Sequence, residues 1–292
     1  MIFLTGSSGF VGSSLLRCLG RENFCIYKRN DVFTMNSIST VIHLAGKAQD
    51  ERETSNLEDY YKSNTYLTSK IFNAFLDSEA TVFIALSSVK AVTDSSVGAL
   101  DENHPPNPLT HYGKSKLLAE KEIFSKNIPD GKRVYLLRPC LIHGPGNKGN
   151  LNLLYKIVSK GLPWPLGAFK NMRSYCSIDN LIFVIKELIE RQEIPSGIYN
   201  IADDEPLSTN EIISLIAASK STKPKIWKIS STFINAIAKI GDALRLPLNS
   251  ERLQKLTSSY VVSNSKIKNA IGKPLPVSSR EGLLKTFKSF ET

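Results

Sequence analysis

Thr5-Gly6-Ser7-Ser8-Gly9-Phe10-Val11-Gly12 is the stretch from which the fold is read. It follows a short apolar run at 2–5 and opens into 11–19, where apolar residues recur at helical spacing. Glycines three apart between a strand and a helix have a physical purpose. They permit a tight turn, let backbone N–H groups approach a pyrophosphate, and pack the helix closely on its strand, while the helix N-terminus favours negative charge. Gly6, Ser8, Gly9, Phe10, Val11 and Gly12 are therefore candidate dinucleotide contacts.

Outward from this turn, β-branched runs alternate with longer helical patterns. Strands are predicted at 2–5, 24–28, 40–44, 81–87, 133–138 and 197–201, with helices at 11–19, 59–76 and 112–125. This rhythm predicts an α/β fold, a Rossmann-like doubly wound parallel sheet. Only about ten residues separate the second strand from the next, too few for a helix and a strand, so one βα unit must be stunted. After residue 145 the texture changes to Gly- and Pro-rich loops between helices, which predicts a smaller C-terminal α/β lobe for substrate. The dinucleotide-binding domain is expected at 1–145 with 175–202 returning to it, and the lobe at 146–174 and 203–292. In the lobe, 211–218 reads as a helix capped by Ser208 or Thr209, and 232–244 as another, whose stripe Phe233, Ile237, Ile240 and Leu244 reads as core rather than as a membrane-lying face.

Composition narrows the function classes. With 41% hydrophobic and 22% charged residues in 292, disorder and coiled coil are excluded. No apolar run is long enough to span a bilayer and no basic segment precedes the first one, so a cytoplasmic protein is expected. Cys18, Cys25, Cys140 and Cys176 fall singly, which suggests neither a metal site nor a disulfide framework. The net charge of +10 lies wholly in residues 220–292, where 14 Lys and Arg face 4 Asp and Glu. These cations are scattered and match no nucleic-acid module. A solvated basic face is the plain reading, with weak contact to an anionic membrane surface as a further one.

The second strand ends Tyr27-Lys28-Arg29. A cation here suits the 2′-phosphate of NADP(H), with Arg29 the better clamp; NAD(H) remains open, with Asp31 supplying the ribose carboxylate. Tyr112 and Lys116 are four apart on one predicted helix face, where an ammonium favours the phenolate. Tyr112 is then a candidate proton carrier in hydride transfer, and Ser88 after the fourth strand a candidate partner for the reacting oxygen.

These residues, with His43-Leu44-Ala45-Gly46, Asn64, Leu86-Ser87-Ser88, 107–116 and Leu137-Arg138-Pro139, resemble the extended short-chain dehydrogenases/reductases, the nucleotide-sugar epimerases and dehydratases. From Gly144-Pro145-Gly146 to 177–181 the chain is similar to bacterial UDP-N-acetylhexosamine 4-ketoreductases and epimerases of surface-polysaccharide synthesis. The resemblance implies Ser88, Tyr112 and Lys116 as catalytic residues. It adds Val32, Leu44, Ala45, Gly46, Asn64 and Pro139 to the cofactor contacts, and Val89, Asn150, Leu166 and Arg173 beside Ser88 to the substrate contacts. It implies reduction of the C4 ketone of a UDP-4-keto-6-deoxy-N-acetylhexosamine, or alternatively UDP-hexose 4-epimerisation. A non-enzymatic cofactor-sensing or RNA-associated relative is the remaining alternative, against which the intact triad argues. A homodimer through the helices at 59–76 and 112–125 is also implied. Val89-Lys90 stands where the dehydratases carry Asp-Glu, which argues against dehydration. His143-Gly144 replaces the usual Tyr-Gly.

Overall fold

The structure, a computed structural model, describes residues 1–28, 35, 37–48, 57–96, 98–147, 149, 151–244 and 249–291. Its centre is a six-stranded, all-parallel sheet formed by β1 (Ile2–Thr5), β2 (Phe24–Ile26), β3 (Thr40–His43), β4 (Val82–Leu86), β6 (Arg133–Pro139) and β9 (Gly197–Ile201), in the order β2-β1-β3-β4-β6-β9. Between β3 and β6 run α2 (Leu57–Tyr60), a π-helical turn (Tyr61–Tyr66), α3 (Leu67–Leu76), the short β5 (Ala99–Leu100) and α4 (His111–Phe124).

Side chains alternate between the two faces of the sheet, and both are covered, as an all-parallel sheet requires. Leu4, Ile42, Ile84 and Leu137 pack toward α1 (Phe10–Leu19) and α6 (Ile178–Glu190); Phe3, Val41, Phe83 and Leu136 pack with Ile71, Phe72 and Phe75 of α3 and Ile123 of α4. The stunted unit has a structural counterpart. Among the described residues no strand follows β2 before β3, so β2 forms the sheet edge and the chain reverses direction across the sheet between β1 and β3. Ligands of open α/β sheets bind beyond the strand C-termini at this reversal.

The helix expected at 59–76 is interrupted. At Tyr61–Tyr66 the wider π turn brings both Asn64 and Thr65 to α4: Asn64 Nδ2 donates to Ser115 Oγ at 3.0 Å and Thr65 Oγ1 to the Ser115 carbonyl at 2.9 Å. Such bulges are frequent at functional sites.

Beyond β6, β7 (Leu141–His143) pairs with β8 (Tyr175–Ser177), while α5 (Leu151–Ser159), α7 (Thr209–Ser219) and α11 (Ser279–Lys288) share a second core around Tyr155, Ile212, Leu283 and Phe287. Helix α7 starts at a capping box, Ser208 with Glu211. A third core joins Trp164, Leu166 and Ile213 to α8 (Ser231–Leu244) and α9 (Ser250–Thr257); β10 (Val261–Val262) pairs with β5, and α10 (Ser265–Ile271) packs near β9.

The core reading of the α8 stripe fails at three of its four residues, Ile237 being half-buried. Phe233, Ile240 and Leu244 are 59%, 56% and 65% exposed, and Ile234 and Ala238 are the residues that face Trp164, Leu166 and Leu253. A helix apolar over a wide arc can bury either flank, and the smaller Ala238 permits the closer approach.

Candidate active site

The turn after β1 admits only glycine at its critical points. Gly6 has φ of +74°, and a Cβ there would lie 2.6 Å from the Ala45 nitrogen; a Cβ on Gly12 would lie 2.2 Å from the Gly6 carbonyl oxygen. Gly9 stands at the N-cap of α1, where no side chain makes a capping hydrogen bond and no acidic residue occupies the first turn. A bare helix start over a loop closed at both ends by glycine is a cradle for a pyrophosphate, so these residues fit a dinucleotide. Ser8 and Phe10 lie on this turn, and Val11 is buried behind it. Gly12→Ala is expected to destabilise the fold by about 1–3 kcal/mol through overpacking and to reduce dinucleotide affinity. Urea unfolding and cofactor titration would read both, and unchanged affinity would remove the cradle's role.

The next strand brings its own loop alongside. The Leu44 amide donates to the Thr5 carbonyl at 3.2 Å and the Ala45 amide to Thr5 Oγ1 at 3.1 Å. Gly46 passes close to Asn64 and Lys116: a Cβ there would lie 2.7 Å from Asn64 Oδ1 and 3.2 Å from Lys116 Nζ. Asn64, fully buried, is committed to structure, accepting from the Lys47 amide at 2.8 Å and donating to its carbonyl at 3.1 Å. His43 sits between Thr5 Oγ1 (2.7 Å) and Thr68 Oγ1 (2.8 Å); burial, with the Lys116 charge nearby, lowers its pKa to about 3, and the ring is neutral. It ties β1 and β3 to α3.

Ser88, Tyr112 and Lys116 converge beside this loop. Helix α4 is capped by Thr110, whose side chain accepts from the Gly113 amide, and this fixes Tyr112 in the first turn. Gly113 allows the helix to lie against the Ser88 loop, since a Cβ would meet the Lys90 carbonyl at 2.3 Å. Burial raises the Tyr112 phenol pKa, while its hydrogen bond with Ser88 opposes the rise by favouring the phenolate. The ring stands edge-on to Tyr60 at 6.2 Å. Lys116, 8% exposed, donates from Nζ to the Leu86 carbonyl at 2.8 Å; burial lowers its pKa to about 8, with Glu120 acting to raise it.

Glu120 was not legible as a site residue. It continues the Tyr112–Lys116 face by another turn and meets Arg138 of β6 in a bidentate pair, Arg138 Nε to Oε1 at 2.8 Å and Nη2 to Oε2 at 2.5 Å, both side chains 4% exposed. Ser87 Oγ donates to the same carboxylate. One buried cluster thus fixes α4, the end of β6 and the Ser88 loop relative to one another.

The other candidates are distributed unevenly. Pro139 is buried at the end of β6, and Lys28 is exposed just beyond β2; Arg29, Asp31, Val32 and Asn150 lie outside the described residues. Val89 is buried against Val92, Leu100, Ala202 and Val262, and Leu166 lies in the lobe core with Trp164. Arg173 donates to the Ser258 carbonyl (3.0 Å) and hydroxyl (3.2 Å). Tyr260, two residues on from Ser258, donates to the Thr93 carbonyl at 2.9 Å and lies under Lys90 Nζ, so the segment that holds Arg173 also braces the loop after Ser88. His143 is buried between Thr286 (2.9 Å) and Asp203 (3.3 Å), where it joins β7 to α11.

Residues 2–202 match the model of the NAD dependent epimerase/dehydratase family. The chain is 28% identical to the UDP-glucose 4-epimerase of Vibrio cholerae, covering 99% of this chain and 95% of that protein. It is 29% identical to the N-acetyl-alpha-D-glucosaminyl-diphospho-ditrans,octacis-undecaprenol 4-epimerase of Escherichia coli O157:H7, covering 76% and 73%. Among solved structures, the UDP-N-acetylglucosamine 4-epimerase from Bacillus cereus superimposes with a TM-score of 0.77 at 19% identity, covering 100% of this chain and 99% of that one.

Proposed function

The chain belongs to the NAD dependent epimerase/dehydratase family, and on that premise we propose that it inverts C4 of a UDP-linked hexose by reversible oxidation. The observation that carries this reading is the convergence of Ser88, Tyr112 and Lys116 at the edge of the glycine cradle, with the helix face continued by Glu120. The similarity over nearly the whole chain to a UDP-glucose 4-epimerase supports inversion over net reduction.

The residues divide the work. Gly6, Gly9 and Gly12 leave the N-terminus of α1 open to a pyrophosphate, and Gly46 lets its loop pass close to Asn64 and Lys116. A bound nicotinamide supplies a hydride acceptor and donor at C4. Tyr112 would take the proton of the C4 hydroxyl as that carbon is oxidised and return it to the ketone oxygen as the carbon is reduced from its other face. Ser88 hydrogen-bonds the reacting oxygen and the phenol in turn. Lys116 is cationic below about pH 8 and stabilises negative charge on the phenolate. Arg173, at the lobe side of the site, holds the diphosphate by exchanging its Ser258 contacts for phosphate oxygens. The exposed apolar residues Tyr66, Leu118 and Phe124 on the π turn and α4 form the contact between two protomers.

UDP-glucose or UDP-N-acetylglucosamine should be converted to its C4 epimer without added cofactor, and the cofactor released on denaturation should be NAD(H). A second reading, reduction of a 4-keto sugar nucleotide, is favoured by Lys28-Arg29 after β2, since two cations suit the 2′-phosphate of NADPH. Consumption of one NADPH per 4-keto sugar, with no interconversion of UDP-hexoses, would replace the epimerase by the reductase.

A further inference from the structure

Helix α8 presents an apolar stripe that the sugar chemistry does not use. Phe233, Ile237, Ile240 and Leu244 recur at helical spacing, and at 3.6 residues per turn they lie roughly a quarter-turn from the buried Ile234 and Ala238. We propose that this stripe, with the lysines around it, is a docking surface for an anionic phospholipid bilayer, on which α8 lies in the plane of the interface.

Several cations of the C-terminal quarter are already neutralised. Lys220, Lys268, Lys273, Arg280 and Lys285 each pair with a carboxylate: Glu291, Asp204, Glu187, Glu211 and Asp179. Around α8 the balance differs. Among the described residues Lys223, Lys228 and Lys239 pair with no carboxylate, and Asp242, the acidic residue of α8, is engaged by the Ser250 amide and hydroxyl. Lys223, Lys228 and Lys239 are exposed on this part of the lobe, and Trp227, 56% exposed, precedes the helix. An apolar face beside unneutralised lysines is the pattern of a helix that buries one side in the acyl boundary while its cations meet lipid phosphates.

Charge complementarity decides between occupants. A second copy docked through the same stripe on a twofold would bring Lys223, Lys228 and Lys239 against the same lysines of its partner, whereas an anionic leaflet supplies the opposite sign. Helix length agrees: α8 has 14 residues, short of the ~20 needed to cross a bilayer. Among the described residues no helix is long and apolar enough to cross one.

The test is sedimentation of the whole chain with vesicles of phosphatidylglycerol and phosphatidylethanolamine, and with vesicles of phosphatidylcholine alone. Partitioning should favour the anionic vesicles by at least about tenfold at low salt and weaken at high salt as the cations are screened. Phe233→Ser/Ile240→Ser/Leu244→Ser should lose binding to anionic vesicles at every salt concentration, and Lys223→Glu/Lys228→Glu/Lys239→Glu should lose the preference for anionic lipid. Both variants replace exposed side chains, so their circular dichroism and thermal midpoints should match those of the parent chain. Equal recovery in the supernatant with both lipids at low salt would overturn the proposal. So would a concentration-dependent dimer, abolished by the serine variant, in a chain that ignores vesicles, because the stripe would then belong to a second copy.

Discussion

Replacing Tyr112 with phenylalanine should lower turnover by about 10²–10⁴, the usual contribution of a positioned acid or base. The substitution is close to a pure test of chemistry. The ring remains to pack edge-on against Tyr60, and the fold loses only the hydrogen bond to Ser88. Nothing in the glycine cradle changes, so dinucleotide affinity and the substrate KM should stay near their original values while kcat collapses. An interaction realised only in the transition state lowers kcat and kcat/KM together. Unchanged turnover in this variant would remove the tyrosine from the reaction and leave the site without a proton carrier.

Glu120→Gln should cost about 3–5 kcal/mol of stability, because it strands the Arg138 guanidinium as a buried charge without its counter-ion. The pair is 4% exposed on both sides and bidentate, so water cannot substitute for the carboxylate. Against a total of roughly 5–15 kcal/mol for a domain, this is a large fraction. Removing the whole cluster should be much milder. In Glu120→Leu/Arg138→Met/Ser87→Ala no charge and no orphaned hydroxyl remains, and urea unfolding should return most of the loss. The two variants share a second readout. Burial lowers the Lys116 pKa to about 8 even with Glu120 acting to raise it, so removing the carboxylate should bring the lysine's deprotonation to lower pH. The basic limb of the activity profile should move down accordingly. A variant as stable as the parent, or an unmoved basic limb, would reduce Glu120 to a bystander.

The sequence announced those parts of the molecule that local chemistry constrains. The turn at Gly6, Gly9 and Gly12 is readable because its conformation and close approaches exclude a Cβ. The six sheet strands are readable because continuous apolar runs suit strands buried on both faces, and the stunted unit after β2 is readable from the length of chain alone. Long-range pairing is another matter. Nothing near Glu120 indicates that its partner is Arg138 on β6, although its place four residues beyond Lys116 continues the Tyr112–Lys116 face. The π turn at Asn64 was hidden for a similar reason: it is selected by contacts with Lys47 and Ser115 rather than by local propensity. Periodicity identified the apolar arc of α8 but not its orientation. Which flank is buried depended on the fit of Ile234 and Ala238 to Trp164 and Leu253, residues 70 positions before Ile234 and 15 after Ala238.

The central claim, inversion at C4 through a transient ketone, is tested most directly by the fate of the hydrogen on that carbon. A UDP-hexose carrying deuterium at C4 should be converted, without added cofactor, to the epimer with the deuterium still at C4. The hydride leaves and returns inside one closed site, while only the hydroxyl proton passes through Tyr112. Inversion with the label lost to water, or a labelled sugar recovered without any inversion, would contradict the account.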